Sequence, residues 1–411
     1  MNKTILHLDM DTFFVSCERK VNPNLVNKPV AIGKTHYRGI ATALSNELKQ
    51  KGLKAGDPVF KVKAVEPNTI FVDSHYDLYS SVSNEIFEFL KNNYTKKIDI
   101  YSIDECFIDA SEIINQYQSP MALAKKIQND IKIKFNLPCS IGISFSKFLA
   151  KMSTNLAKPH GIKETRITDI KTNFYDLPIE KVFGIGKANS KKLKDAKIFS
   201  YKDLIDYPNE LFLRRVFGKN YKIFISQLKG SPKEIEIVQN NMKGYGNSIT
   251  FDFGRTNEKP IILKFLKDLS ETVIQRTKAH NVEGNIITVS LRTTEKIWIH
   301  KTKKYASNFN DIQSFFEASL AIFEEFWDAS PIIGLGLRIS NVNSIFKQQG
   351  SFDLFELQNP NSSNSIINKI KQKNLDFELK TLGQLKKENS NEGKSIKFVH
   401  NNLNSKTKIK I

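Results

Sequence analysis

The segment Lys97–Asp109, KIDIYSIDECFID, decides the fold because it predicts a β-hairpin with two acids at its turn. Apolar and polar residues alternate as far as Ser102, which is typical of a strand, and a second short run begins at Cys106. Neighbouring side chains of a regular strand point to opposite faces, so Asp104 and Glu105 can converge only where the chain turns. A hairpin turn between the two runs allows this.

The apolar run Thr4–Leu8 predicts a buried strand with Asp9 at its tip. If that strand lies beside the hairpin, Asp9 joins Asp104 and Glu105, and three carboxylates that repel one another make physical sense only around cations. Oxygen ligands without His or Cys favour Mg2+ or Mn2+, and two such ions roughly 3.5–4 Å apart would serve in-line phosphoryl transfer. The alternative is that these are ordinary turn acids, since Asp is common in turns.

The rest of the first half predicts an α+β domain. Apolar residues recur at helical spacing from Tyr79 to Leu90, from Ala124 to Phe135 and from Leu149 to Leu156, and a strand is expected at Cys139–Ser144. The order of strand, helix, hairpin, helix, strand and helix is that of one α+β layer structure. Residues 20–74 are loop-rich, with a helix expected around Ser45–Lys51.

The second half predicts a helical region, a linker and another α/β unit. Residues 166–230 are expected to be mostly helical and residues 231–243 to form a linker. Residues 244–345 then show the β-α-β-β-α-β order of a ferredoxin-like domain. Its strands are expected at Ser248–Phe253, Asn285–Thr293, Lys296–His300 and Gly334–Ser340. Beyond Glu356 the composition turns to Asn, Ser and Lys, which is typical of poorly ordered chain.

The composition points to a polyanionic partner. The chain has 411 residues and a formal charge of +19, which favours phosphate binding, although coding bias toward lysine explains it equally well. No apolar run approaches a membrane span, so no membrane association is expected. The scattered cysteines Cys17, Cys106 and Cys139 argue against disulfides and a zinc site and favour a cytoplasmic location.

Taken together, the motifs resemble those of the Y-family of translesion DNA polymerases. The resemblance covers roughly residues 1–345 and rests on the segments DMDTFF (9–14), YSIDE (101–105), GIS (142–144), LAK (149–151) and AKPHG (157–161). It implies a right-hand polymerase with an α+β palm, small fingers, a helical thumb containing a helix-hairpin-helix and a ferredoxin-like little-finger domain. The implied ranges are 1–19 and 75–165 for the palm, 20–74 for the fingers, 166–230 for the thumb, 231–243 for a linker, 244–345 for the little finger, and 346–411 for a clamp-binding peptide with a largely disordered tail.

The resemblance also implies roles at the catalytic site. Asp9, Asp104 and Glu105 match the family's side-chain ligands for two metal ions, with the Met10 carbonyl as a backbone ligand. Phe14 stands at the position of the steric gate, the aromatic ring that excludes the 2′-hydroxyl of a ribonucleotide. The positions implied to contact the nucleotide are Phe13, Thr42, Lys49 and Lys158. Asn46 departs from the family, which often has Tyr there, so the resemblance implies no aromatic phosphate contact at this position.

Further positions imply contacts with DNA and with a sliding clamp. Gly184 and Gly186 resemble a helix-hairpin-helix turn, where glycines let backbone N–H groups approach a phosphate, and Lys187 follows them. The clamp-docking peptide is resembled by Phe352, Asp353, Leu354 and Phe355. The implied partners are primer–template DNA, dNTPs and the clamp, and the protein is expected to be monomeric. The implied activity is error-prone synthesis past lesions without a proofreading exonuclease.

Two other functions compete with this interpretation. Another palm-type nucleotidyl enzyme, such as a nucleotide cyclase, shares the two-metal acids but has no use for a helix-hairpin-helix or a DNA-gripping domain. A non-catalytic protein that binds DNA or the clamp would keep the fold without the chemistry. The acids Asp9, Asp104 and Glu105 count against it, because buried acids without a metal are costly.

Overall fold

The computed structural model describes residues 3–36, 39–231 and 243–344, and the chain divides into two compact units, residues 1–241 and 242–411. The strands of the first unit are β1 (Ile5–Met10), β2 (Val30–Ile32), β3 (Ala43–Leu44), β4 (Ile70–Val72), β5 (Ile98–Ile100), β6 (Glu105–Asp109), β7 (Cys139–Ser144) and β8 (Ile162–Glu164). Its helices are α1 (Phe13–Val21), α2 (Asn46–Gln50), α3 (Val59–Val65), α4 (Tyr76–Asn93), α5 (Pro120–Phe135), α6 (Lys147–Ala157), α7 (Ile170–Phe174), α8 (Lys187–Asp195), α9 (Tyr201–Asp206), α10 (Glu210–Phe217) and α11 (Tyr221–Leu228).

A five-stranded sheet in the order β5-β6-β1-β7-β8 forms the centre of the first unit. The predicted hairpin is present as β5 and β6, and β1 pairs with β6 on one side and with β7 on the other, antiparallel in both cases. Every residue of β1 and of β7 is buried, because helices cover the sheet. The predicted juxtaposition of the first strand and the hairpin is therefore confirmed.

Helix α6 lies close to the sheet, and its ends are set by local sequence. At its start the Ser146 hydroxyl accepts a hydrogen bond from the Leu149 amide, which is the usual N-cap arrangement. The helix ends before Pro159, which cannot continue it. Gly142 of β7 permits the close approach, because a Cβ there would lie 2.1 Å from the Ala150 carbonyl oxygen. Lys151 and Lys158 are thereby brought to the edge of β1.

The buried apolar side chains outside the central sheet form separate smaller cores. One lies within the three-stranded sheet β3-β2-β4 and its short helices, and includes Leu44, Leu48 and Val62. Another joins the helices α7–α11 to α6, through residues such as Phe148, Phe174 and Leu193. The predicted helical content of 166–230 is thus confirmed. The boundaries assigned to palm, fingers and thumb stay predictions.

The second unit contains a wholly antiparallel sheet covered by two helices. Its elements are β9 (Gly244–Thr250), α12 (Lys259–Ala279), β10 (Val282–Thr293), β11 (Trp298–Phe309), α13 (Ile312–Phe326), β12 (Ile332–Ser340) and β13 (Asn343–Ser344). The order β11-β10-β12-β9 places β12 between the two strands that α12 connects, which is a split β-α-β unit. The predicted β-α-β-β-α-β order is confirmed.

Some predicted boundaries were wrong. Strand β1 continues through Asp9 to Met10, so Asp9 lies inside the strand rather than at its tip. The strand predicted at Lys296–His300 begins two residues later and runs to Phe309, because Lys296 has a positive φ of 68° in the turn. Most of the predicted linker, and residues 345–411 with the clamp-docking peptide Phe352–Phe355, lie outside the described residues.

Candidate active site

Backbone pairing brings the three predicted metal ligands to one edge of the central sheet. In the β1–β6 ladder Asp9 stands directly opposite Glu105. The Met10 amide donates to the Asp104 carbonyl oxygen at 2.9 Å, so the turn residue is tied to the end of β1. The hairpin is closed by the Tyr101 and Ser102 amides, which both donate to the Glu105 carbonyl oxygen. Asp9, Asp104 and Glu105 therefore come together across two strands that are far apart in sequence.

Asp9 is a buried carboxylate with one lysine partner. It is 7% exposed, and the Lys158 Nζ lies 2.6 Å from its Oδ1. Burial raises the pKa of Asp9 to about 6 although the Lys158 ammonium opposes it, and the charges of Asp104 and Glu105 act in the same direction as burial. Asp9 is thus a carboxylate that further positive charge would stabilise.

Glu105 is held by two donors from different elements. The His7 Nε2 lies 3.2 Å from Glu105 Oε2, and the Lys151 ammonium contacts the same oxygen. Burial alone would raise the pKa of Glu105, but the hydrogen bonds from His7 and Lys151 outweigh it and lower the pKa to about 2. Burial lowers the pKa of His7, which favours a neutral ring that donates through Nε2. Glu105 is therefore an anion near neutral pH.

The third carboxylate, Asp104, is half-buried in the hairpin turn and accepts a hydrogen bond from the Ser102 hydroxyl. Within residues 3–36, 39–231 and 243–344, no three His, Cys, Asp or Glu side chains are gathered as a ready-made metal site. The backbones meet as predicted, and the carboxylates of Asp9 and Glu105 each pair with a lysine, Lys158 and Lys151 respectively.

Asp11 has a structural role that was not predicted from the sequence. It is 5% exposed, and both of its carboxylate oxygens accept from the Ser140 hydroxyl, at 2.9 and 3.0 Å. Its Oδ2 also accepts from the His160 amide at 2.8 Å. Asp11 thus fixes the chain that follows Lys158, while its neighbour Asp9 faces the lysine itself.

The ring of Phe14, the predicted steric gate, packs against a tyrosine that belongs to a polar network. This ring stacks on the Tyr79 ring, with centroids 4.2 Å apart and an interplanar angle of 13°. The Tyr79 hydroxyl donates to the buried Glu18 carboxylate at 2.6 Å, and the His75 Nδ1 lies 2.8 Å from the same oxygen. Phe13, in contrast, is 3% exposed and packs in the core, so only its backbone remains to meet a nucleotide.

The remaining predicted nucleotide contacts are Thr42, directly before β3, and Lys49 on α2. Lys49 of α2 is exposed, and its pKa is lowered by partial loss of hydration and by the Lys158 charge, against the opposing charges of Asp11, Asp9 and Asp104. Lys49 therefore lies within electrostatic range of the carboxylates. Thr42 is exposed and its hydroxyl donates to the Ile32 carbonyl oxygen at 3.0 Å.

The predicted DNA-binding turn has the expected local geometry. Gly184 has a φ of 87°, which favours glycine, and Gly186 is the N-cap of α8, which begins at Lys187. A Cβ at Gly186 would meet nothing within 4 Å. The residue before this turn also contacts the hairpin formed by β5 and β6, since the Phe183 and Tyr101 ring centroids lie 6.3 Å apart.

No helix in the described parts of the chain combines the length and apolar character needed to cross a membrane.

Comparisons with known proteins define the class. The impB/mucB/samB family model matches residues 8–155, and the model of that family's C-terminal domain matches residues 242–354. The fold is that of a Y-family DNA polymerase chimera (Dbh-Dpo4-Dbh), with a TM-score of 0.74 at 24% identity, over 83% of this chain and 99% of that one. A Dbh ternary complex gives a TM-score of 0.57 at 25% identity, over 83% of this chain and 100% of that one. These matches define a member of the impB/mucB/samB family with the fold of a Y-family DNA polymerase.

The curated relatives are more specific. The DNA polymerase IV of Ureaplasma parvum serovar 3 is 34% identical over 85% of this chain and 98% of its own length. The DNA polymerase IV of Lactococcus lactis subsp. cremoris is 30% identical over 86% of this chain and 97% of its own length. The chain belongs to the Y-family of DNA polymerases and is similar to DNA polymerase IV, so it is a DNA-directed DNA polymerase. Neither the cyclase nor the non-catalytic alternative is favoured.

Proposed function

We propose that this polymerase adds dNTPs to a primer 3′ end through two divalent cations held by Asp9, Asp104 and Glu105, with the Met10 carbonyl as a further ligand. The observation that carries the proposal is the pairing of Asp9 with Glu105, together with the bond from the Met10 amide to the Asp104 carbonyl. It supports the proposal because it brings the backbones of three acidic residues from two distant segments to one edge of the sheet.

The donor set fits Mg2+ or Mn2+. All of the ligands offered are oxygens, which these ions prefer. Burial, and after it the charges of Asp104 and Glu105, raise the pKa of Asp9, so a nearby cation would stabilise its carboxylate. When bound, the two ions supply Lewis acidity at the attacking and leaving oxygens of the phosphoryl transfer. The protein's own contribution is to hold Asp9 and Glu105 on paired strands and Asp104 in the turn that precedes Glu105.

Lys158 and Lys49 are proposed to bind the triphosphate. The Lys158 side chain is 38% exposed, so its ammonium can exchange Asp9 for a phosphate oxygen when a nucleotide arrives. Asp11 supports that exchange indirectly, since it fixes the His160 backbone just after the lysine. Thr42 and the backbone of Phe13 complete the proposed nucleotide contacts.

The remaining proposals concern selection and partners. Phe14, backed by Tyr79, acts as the steric gate against ribonucleotides. Gly184, Gly186 and Lys187 bind a phosphate of the primer–template without reading its sequence. Phe352–Phe355 dock in a sliding clamp, and the protein works as a cytoplasmic monomer.

Replacing one carboxylate tests the proposal. Asp104→Ala should lower primer extension by at least about a thousandfold, roughly 4 kcal/mol of activation free energy, while binding of primer–template in an electrophoretic assay survives. Asp99→Ala is the matched control, because Asp99 lies on the same hairpin, is exposed and pairs with Lys147 instead. Extension that survives in Asp104→Ala would contradict the proposal, and so would loss of extension in Asp99→Ala to the same degree.

A further inference from the structure

Lys151 of α6 has surroundings unlike those of a surface lysine. Its side chain is 11% exposed, and its ammonium contacts Glu105 and lies 3.5 Å from the His7 Nε2. The same ammonium lies 4.9 Å from the centre of the Tyr101 ring and 5.2 Å from that of Phe183. A buried ammonium is costly unless it is paired in good geometry, and here a carboxylate and two rings supply that geometry.

The two donors to Glu105 act on a single oxygen. Both the Lys151 ammonium and His7 Nε2 meet Oε2. The His7 ring is fully buried, and its Nδ1 lies 2.9 Å from the Thr154 hydroxyl, which fixes the ring orientation. Because a carboxylate needs a donor, the Nε2 proton belongs on the side of Glu105. The Thr154 hydroxyl that contacts Nδ1 also donates to the His7 and Ala150 carbonyl oxygens, which fixes its position. Oxygen Oε2 is thereby immobilised, and Oε1 is the oxygen left to offer to a cation.

We infer that Lys151 is a positioning residue that, with His7, holds Glu105 as a ligand through one oxygen and so favours Mg2+ over Ca2+. The inference rests on the proposed function, in which Glu105 is a metal ligand. Mg2+ demands near-ideal octahedral geometry, whereas Ca2+ accepts six to eight ligands, including carboxylates that bind through both oxygens. A glutamate that binds through a single oxygen suits the octahedral geometry of Mg2+. Because the protein holds its other oxygen, the same glutamate cannot bind Ca2+ through both oxygens.

The positive charge of Lys151 must be separated from its geometric effect. Removal of an ammonium strengthens binding of Mg2+ and Ca2+ alike, because both carry the same charge. Release of Glu105 instead lowers the Mg2+ affinity relative to the Ca2+ affinity. The ratio of the two affinities therefore reports the position of Glu105, and the individual affinities report the effect of the lysine charge.

The experiment uses the full chain with bound Tb3+, because a nearby tyrosine sensitises the luminescence of this ion. Mg2+ or Ca2+, each added alone, displaces the Tb3+, and the loss of luminescence gives the affinity for the added ion. Lys151→Met, which keeps an unbranched apolar stem, should lower the Mg2+/Ca2+ affinity ratio by about tenfold, the lower end of the effect of losing such a supporting contact. Lys151→Arg retains a cation and donors and should recover much of the ratio. Lys147→Met is the matched control, because Lys147 lies one turn earlier on α6, over the Phe107 ring, and pairs with Asp99.

The outcomes separate the inference from its alternatives. An unchanged ratio in Lys151→Met, an equal gain for both cations, or the same shift in Lys147→Met would each overturn it. If Lys151→Met fails to fold, Phe183→Leu removes one ring from the ammonium without touching Glu105, and it should shift the ratio in the same direction. Failure of the proposed function looks different, since Glu105→Gln would then leave Tb3+ binding intact.

Discussion

Gly142→Ala probes the close contact between α6 and β7, the strand that pairs with β1. A Cβ at Gly142 would lie 2.1 Å from the Ala150 carbonyl oxygen and 2.3 Å from the Thr154 amide nitrogen. These are backbone atoms of α6, so no side-chain rotation relieves the overlap. An ordinary contact of 3.4 Å would require the helix and β7 to separate by more than an ångström. The hydrogen bond between His7 and Thr154 would then be lost as well.

The expected cost is that of an overpacked core, about 1–3 kcal/mol. For a unit of this size each kcal/mol lowers Tm by roughly 2–4 °C, so the variant should unfold about 2–12 °C earlier in differential scanning calorimetry. Gly186→Ala is the control for stability, because a Cβ there meets nothing within 4 Å and its φ is −79°. It should cost no more than about 1 kcal/mol, since only a helix cap changes. A Tm of Gly142→Ala equal to that of the control would refute the claim that α6 is pinned by this glycine.

Two further predictions concern Phe14 and the network behind it. Phe14→Ala should raise the ratio of ribonucleotide to deoxyribonucleotide incorporation by at least about tenfold, or roughly 1.4 kcal/mol, measured as kcat/KM for each; an unchanged ratio would remove Phe14 from the steric-gate role. The hydrogen bond to Glu18 raises the pKa of His75 above its ordinary value of 6.5. The stabilisation by protonated His75 is therefore complete below pH 6.5 and lost as the pH rises through the raised pKa. His75→Ala should accordingly lower Tm at acidic pH and leave it unchanged at alkaline pH, and a deficit independent of pH would show that charge is not involved.

Regular periodicity made much of the fold predictable. Apolar spacing within a short segment predicts each of these elements: the hairpin, β7 and α4–α6. The β-α-β-β-α-β order follows from a series of such segments. The convergence of Asp9 with Asp104 and Glu105 could be predicted because both segments end apolar runs with acids. The end of β11 was predicted too early because this strand is largely exposed to solvent. Its lysines Lys301, Lys303 and Lys304 break the apolar–polar alternation that indicates a strand.

The supporting residues of the site were missed for a different reason. His7 and Thr154 are 147 residues apart, and Lys151 and Glu105 are 46 apart, so no local pattern links them. One signal was present for His7. It is a polar residue inside an apolar run, two positions before Asp9, and residues two apart share one face of a strand. The sequence therefore indicated that His7 shares a face of the strand with Asp9, although its partner depended on the fold.

Asp9 and Asp11 are separated by one residue but have different partners. Asp9 pairs with the Lys158 ammonium, and Asp11 accepts a hydrogen bond from the His160 amide. A deletion or insertion of one residue within Ile5–Met10 would slip the strand by one place and turn its side chains to the opposite faces. The chemistry and the anchor would then both fail at once, although no acid had been removed from the chain. We therefore expect genetic screens at this strand to recover substitutions more readily than changes of length.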